Sequence, residues 1–136
     1  MLVRCINNVT YKFELIGVND TEGDPIISNY YSNIGEKCTY SIDVNESYKV
    51  YAIAIINGEL HYLLIGNLGY PQFYKANLFE IVENDIFDLN LVSVYNNEFI
   101  SYLIADEYLS NIETIKKIIR KDPNELSKFY NYTKLK

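Results

Sequence analysis

The chain has 136 residues with 12 basic and 18 acidic side chains, a net charge of −6, and one histidine. That length predicts one domain over residues 1–136, a β-body at 1–104 and a helical segment at 105–136, large enough to fold without a disulfide or metal staple. A lone histidine excludes a multi-histidine metal centre, and the chain lacks both the roughly 18 apolar residues of a membrane span and a secretory apolar core before Asn7-Asn8. The expectation is a cytoplasmic protein with no metal, no cofactor and no membrane partner.

Leu2 to Ile6 reads as a strand ending at Asn7-Asn8, and Tyr11 to Val18 as a second, with Tyr11, Phe13 and Leu15 alternating against Lys12 and Glu14. Residues 19–25 form a polar loop with Gly and Pro. Asp20, Glu22 and Asp24 alternate as in a calcium loop, but an EF-hand counted from Asp20 needs Gly and Glu where Pro25 and Tyr31 stand. Ile26 to Tyr31 is either a strand or irregular, residues 32–36 a turn, and Lys37 to Ile42 a strand. Cys5 and Cys38 both sit in strand-like runs and are expected to be buried and reduced rather than bridged.

Tyr48 to Val82 is the longest run that reads as adjoining strands. Tyr48 to Ile56 is rich in β-branched and aromatic residues, and Asn57-Gly58 separates it from Glu59 to Ile65. Asn-Gly between two such runs signals a hairpin, because a type I′ turn needs positive φ at both central residues. Tyr70 to Tyr74 and Leu78 to Val82 follow as further strands of one meander, with Gly66-Asn67-Leu68-Gly69 as a turn that has no phosphate-loop spacing. Glu83 to Asp88 is a turn whose Ile86-Phe87 pair plugs the open end of the sheet, and Leu89–Tyr95 with Phe99–Ile104 makes a second hairpin about Asn96-Asn97.

The period then changes. Ser110 with Glu113 has the spacing of a capping box, and Ile112, Ile115, Ile118 and Ile119 share one helical face, with Lys116, Lys117, Arg120 and Lys121 mostly on the other. Asp122 as N-cap and Pro123 at the first position open a second helix with Leu126, Phe129 and Tyr130 on its apolar side. The predicted fold is α+β, mainly β: a curled, partly open antiparallel SH3-like sheet of about six or seven strands followed by two C-terminal helices.

No residue cluster announces a reaction. His61 is expected on the solvent side of its strand; pairing with a cysteine would need an activated thiol that nothing here supplies. Charge is more informative. Residues 1–110 hold five basic against fifteen acidic side chains, a net of −10, while the remainder is net +4. An acidic body repels a phosphate backbone, which excludes nucleic acid as its partner, and attracts a basic protein. Glu80, Glu83, Asp85 and Asp88 are the densest acidic stretch, either a solvated loop or a docking patch. Glu59 adds charge to the patch, and exposed Tyr70 and Tyr74 are its expected anchors.

The phrases Val3-Arg4-Cys5-Ile6-Asn7-Asn8, Tyr48 to Ile53, Tyr70-Pro71 and Leu78-Phe79-Glu80-Ile81-Val82 resemble those of a group of small bacterial proteins that look like SH3-type barrels. The likeness covers about half the chain, and residues 9–47 stand as an insertion relative to the shorter members. Some small acidic proteins of this kind are immunity partners of polymorphic or contact-dependent toxins. The resemblance implies a non-enzymatic immunity protein that neutralises a cationic toxin domain, often a nuclease. The alternative is an SH3-like peptide- or small-ligand-binding module with aromatics from Tyr62 to Tyr74 lining a groove.

Overall fold

The computed structural model describes residues 1–11, 30–34, 37–86, 89–96 and 100–134. The expected Tyr11–Val18 strand beyond Tyr11, the 19–25 loop and residues 26–29 lie outside them. Strands β1 (Leu2–Cys5), β2 (Val9–Tyr11), β3 (Tyr30–Ile34), β4 (Lys37–Tyr40), β5 (Ser47–Lys49), β6 (Ala52–Ile56), β7 (Glu59–Ile65) and β8 (Pro71–Lys75) precede a 3-10 turn at Ala76–Leu78. Strands β9 (Phe79–Glu83), β10 (Leu91–Val94) and β11 (Ile100–Ala105) and helices α1 (Ile112–Ile119) and α2 (Pro123–Lys134) complete the order. The architecture is α+β and mainly β, its antiparallel sheets unclosed and its two helices C-terminal, as expected. Eleven strands occur among the described residues, more than the six or seven read from sequence.

Part of the difference arises at Val50-Tyr51. The run Tyr48–Ile56 is not one strand: β5 pairs with β1, whereas β6 pairs with β7 and β11. Between them the Val50 amide donates to the Met1 carbonyl at 3.0 Å and the Tyr51 amide to that of Leu63 at 2.8 Å. The chain therefore changes sheets without leaving a buried amide unpaired. The expected meander holds for β6-β7-β8 and then stops. The 3-10 turn carries β9 away to pair with β1, giving sheets ordered β10-β11-β6-β7-β8, β5-β1-β9 and β2-β4-β3.

The five-stranded sheet has two apolar faces. Ala52, Ala54, Ile56, Leu63, Phe73 and Leu103 cluster with Ile115, Ile118, Leu126 and Phe129 of the helices. The alternate positions Tyr62, Leu64 and Tyr74 cluster with Val3, Cys5 and Phe79 of the three-stranded sheet. Period-two alternation on β7 and β8 supplies both layers from the same strands. Each large side chain buried this way is worth about 1.5–3 kcal/mol. The Asn57-Gly58 turn has positive φ at both residues, as the hairpin required.

The helices end differently from expectation. Asn111, not Ser110, caps α1, its side chain accepting from the Glu113 amide at 2.8 Å, while the Ser110 hydroxyl donates to the Glu107 carbonyl. Asp122 caps α2 as expected, accepting from the Glu125 amide at 2.9 Å. Lys121 adopts a φ of +63°, and the Asp122 and Lys121 amides bond the Lys117 and Ile118 carbonyls. That is a Schellman motif with lysine where glycine is usual. Its ammonium lies 4.3 Å from the Tyr70 ring centroid, and the Tyr130 hydroxyl donates to the Gly69 carbonyl at 2.5 Å, so the β7–β8 loop is tied to the helical pair.

Gly66 marks the tightest approach between layers. A Cβ there would strike the Tyr74 hydroxyl and lie 2.9 Å from the Ser41 carbonyl, where Tyr74 and Ser41 share a hydrogen bond of 3.1 Å. Gly66→Ala is expected to cost about 1–3 kcal/mol by overpacking, read from urea denaturation. Tyr74→Phe, costly by about 1 kcal/mol alone through the lost hydrogen bond, is expected to recover part of that loss in the Gly66→Ala background.

Candidate functional site

Of the seven residues singled out for partner binding, six lie among the described residues, and one of them, Tyr74, is not on the surface. Glu80 and Glu83 are exposed on β9, and Asp85 follows two residues later. Glu59 lies apart at the start of β7, its carboxylate 3.3 Å from the Lys75 ammonium. Tyr70 is exposed in the β7–β8 loop, its ring beneath the Lys121 ammonium. Asp88 falls outside the described residues.

Tyr74 contradicts its expected role as an exposed anchor. It is 1% exposed and packs edge-on against Tyr40 and Phe79 at centroid distances of 5.9 and 6.3 Å. The reason is register: Tyr62 and Tyr74 are paired across β7 and β8 on the face that the three-stranded sheet covers. Phe73, on the opposite face, is buried against the helices. The aromatics between Tyr62 and Tyr74 expected to line a groove are therefore core, apart from Tyr70.

What the sequence reading missed is the aliphatic component of β9. Ile81 and Val82 are 54% and 53% exposed between Glu80 and Glu83, and Ile86 is exposed beside Asp85. Among the described residues β9 is an edge strand, bonded to β1 alone. Ile81 stays exposed although its cross-strand partner Val3 is buried. Arg4 pairs with Glu80 across the β1–β9 ladder, both side chains about half exposed, and such pairs contribute little. Glu83 has no ion-pair partner among the described residues. The edge thus combines a strand with no second partner among the described residues, two aliphatic side chains and carboxylates.

A second exposed apolar surface lies on the other edge. Val94 of β10 is paired with Tyr102, Tyr102 with Ile55 and Ile55 with Leu60, a row crossing four strands on the face away from the helices. Val92 and Val94 are 65% and 63% exposed there. The segment Leu91–Val94 carries no charge, which separates it in character from β9.

His61 also overturns expectation: it is 2% exposed, not on the solvent side. Its position alternates with Tyr62, which puts it on the helix-covered face opposite Ala54 and beside Lys75. Nδ1 contacts the Glu59 carbonyl oxygen at 2.9 Å, and buried Nε2 has no hydrogen-bond partner among the described residues. Cys5 is free and buried on the other side of the same sheet, its thiol donating to the Asn7 carbonyl at 3.4 Å. Burial raises the Cys5 pKa, so this thiol is neither bridged nor activated, and it does not meet His61. The Cys38 side chain lies outside the described residues. Lys116, expected on the outer helix face, is buried and lies 4.0 Å from Glu113.

Among the described residues no cluster of three His, Cys, Asp or Glu is placed to hold a metal ion, and no helix is long and apolar enough to cross a membrane. No family model, curated protein or solved structure matches the chain.

Burial lowers the His61 pKa; the neighbouring Lys75 acts in the same direction, and the contacts with Glu59 oppose it more weakly. The folded state therefore binds fewer protons than the unfolded chain, whose imidazole titrates near about 6.5. Stability attributable to this group is intact above that value and is lost as pH falls below it toward the folded pKa. Between about pH 7.5 and 5.5, the urea midpoint of the natural protein is expected to fall further than that of His61→Leu, the difference reaching at most about 1.4 kcal/mol per pH unit. Parallel declines would contradict this.

Proposed function

We propose that this chain is an immunity-type protein whose β9 edge docks a cationic protein domain and occludes it. The observation that carries the reading is the exposed succession of Glu80, Ile81, Val82 and Glu83 on a strand that pairs with β1 alone among the described residues, continued by Asp85 and Ile86. A free edge offers backbone hydrogen bonds to an added strand. The aliphatic pair supplies area that gains by leaving water, and the carboxylates select a basic partner and speed its approach. The anchors in this reading are Ile81, Val82 and Ile86 in place of Tyr74.

The identity of the partner as a toxin domain rests on the resemblance carried by the opening and closing phrases. Those phrases meet in space. Val3 pairs with Ile81, Arg4 with Glu80 and Cys5 with Phe79, and the Ile6 and Asn7 amides both donate to the Leu78 carbonyl. Residues that look like separate blocks in sequence are one ladder, the same ladder that presents the docking edge.

The test is whether a neighbouring gene encodes a toxin C-terminal domain and whether the two copurify, followed by association kinetics. Association is expected to slow as salt rises, and the combined Glu80→Lys, Glu83→Lys and Asp85→Lys variant to associate roughly 10- to 100-fold more slowly at low salt. Failure to copurify, or kinetics indifferent to both salt and charge reversal, would overturn the reading.

A further inference from the structure

A cleft of about 350 Å³ opens where β5 passes into β6, against the end of β9 and helix α2. Lys49, Tyr51, Glu83, Asp85, Leu89 and Tyr132 are among its lining residues. Lys49 and Glu83 are both in register with Leu2, one on each side of it. Their Cα atoms are thus two strand spacings apart, about 10 Å, and neither is in an ion pair among the described residues. The cleft holds opposite charges on opposite walls. Part of its lining is apolar: Leu89 is buried, and the Tyr51 and Tyr132 rings pack against each other with centroids 6.5 Å apart at 60°. The Lys49 ammonium lies 5.6 Å from the Tyr51 ring centroid, near the limit of a cation–π contact.

This combination selects against most ligand classes. A simple cation would be drawn to Glu83 and Asp85 but meet Lys49, and a simple anion would meet the reverse arrangement. A neutral apolar molecule would leave both charges without a counterpart. The volume is at the small end of ligand sites. We propose that the cleft binds a free α-amino acid with an apolar side chain. Its ammonium faces Glu83, its carboxylate faces Lys49, and its side chain lies against the wall formed by Tyr51, Tyr132 and Leu89. The inference goes beyond the docking function and does not require a protein partner.

The test is titration of the full chain with L-phenylalanine and L-leucine, followed by calorimetry and by NMR shifts of the tyrosine rings. Phenethylamine and 3-phenylpropionate serve as analogues that keep one charge each. The expected result is saturable binding of an amino acid at roughly 0.1–1 mM, at least tenfold weaker for both analogues, with shifts at Tyr51 and Tyr132. Lys49→Met and Glu83→Gln are each expected to weaken it tenfold or more while leaving the circular dichroism spectrum unchanged. No saturation by 10 mM, equal binding of the analogues, or unaltered affinity in both variants would overturn it. Because the protein is titrated alone, failure here leaves the docking reading untouched, and failure to capture a toxin leaves this one untouched.

Discussion

The structure depends on a five-stranded sheet that must be covered on both faces. Alternate residues of β7 and β8 send Leu63 and Phe73 into the helix-side core and Tyr62, Leu64 and Tyr74 into the core beneath the three-stranded sheet. Neither half of that alternation can sit in water at small cost, since each large apolar side chain is worth about 1.5–3 kcal/mol when buried. The C-terminal helices are consequently structural: Ile115, Ile118 and Phe129 complete a core that the sheet cannot close by itself. The close contact of Gly66 with Tyr74 and Ser41 shows how little space the second layer leaves.

The covering layers are smaller than the sheet they cover, and this mismatch creates the surfaces. A three-stranded sheet cannot shield five strands, so Leu60, Tyr102 and Val94 stay exposed, as do Ile81 and Val82 of β9. Proteins usually protect such edges with charge. β9 carries Glu80 and Glu83 and is protected from uncontrolled pairing by the same carboxylates that favour a basic partner. The sheet switch at Val50-Tyr51 opens the cleft beside it, because the chain leaves one layer for the other there while β9 continues past.

Local signals in the sequence identified the strands around Asn57-Gly58, the apolar face of α1, the Asp122 cap and the α+β class. Each of these is set by residues a few positions apart. Long-range geometry was not legible. Nothing near Val50 marks a change of sheet, since β5 and β6 form one uninterrupted β-favouring run, and nothing near Phe79 says that β9 returns to β1. The errors at Tyr74 and His61 follow from that: which face of a strand is covered depends on a layer supplied from elsewhere in the chain. The acidic residues of β9 were visible as a cluster, but their aliphatic neighbours read only as positions in a strand of the meander, with no sign that they would be exposed. Lys121 in a left-handed conformation also lacked the usual sign, a glycine.

The claim beneath all of this is that β6 and β7 are interior strands while β9 is an open edge. Residue-resolved amide hydrogen exchange on the isolated protein tests it most directly. The amides of Ala54, Ile56, Leu63 and Leu64 should exchange only through global unfolding, whereas the outward-facing β9 amides not bonded to β1 should exchange through local fraying, orders of magnitude faster. Equal protection of β9 and β6 in the monomer would mean that the edge is already covered, and the docking surface described here would not exist.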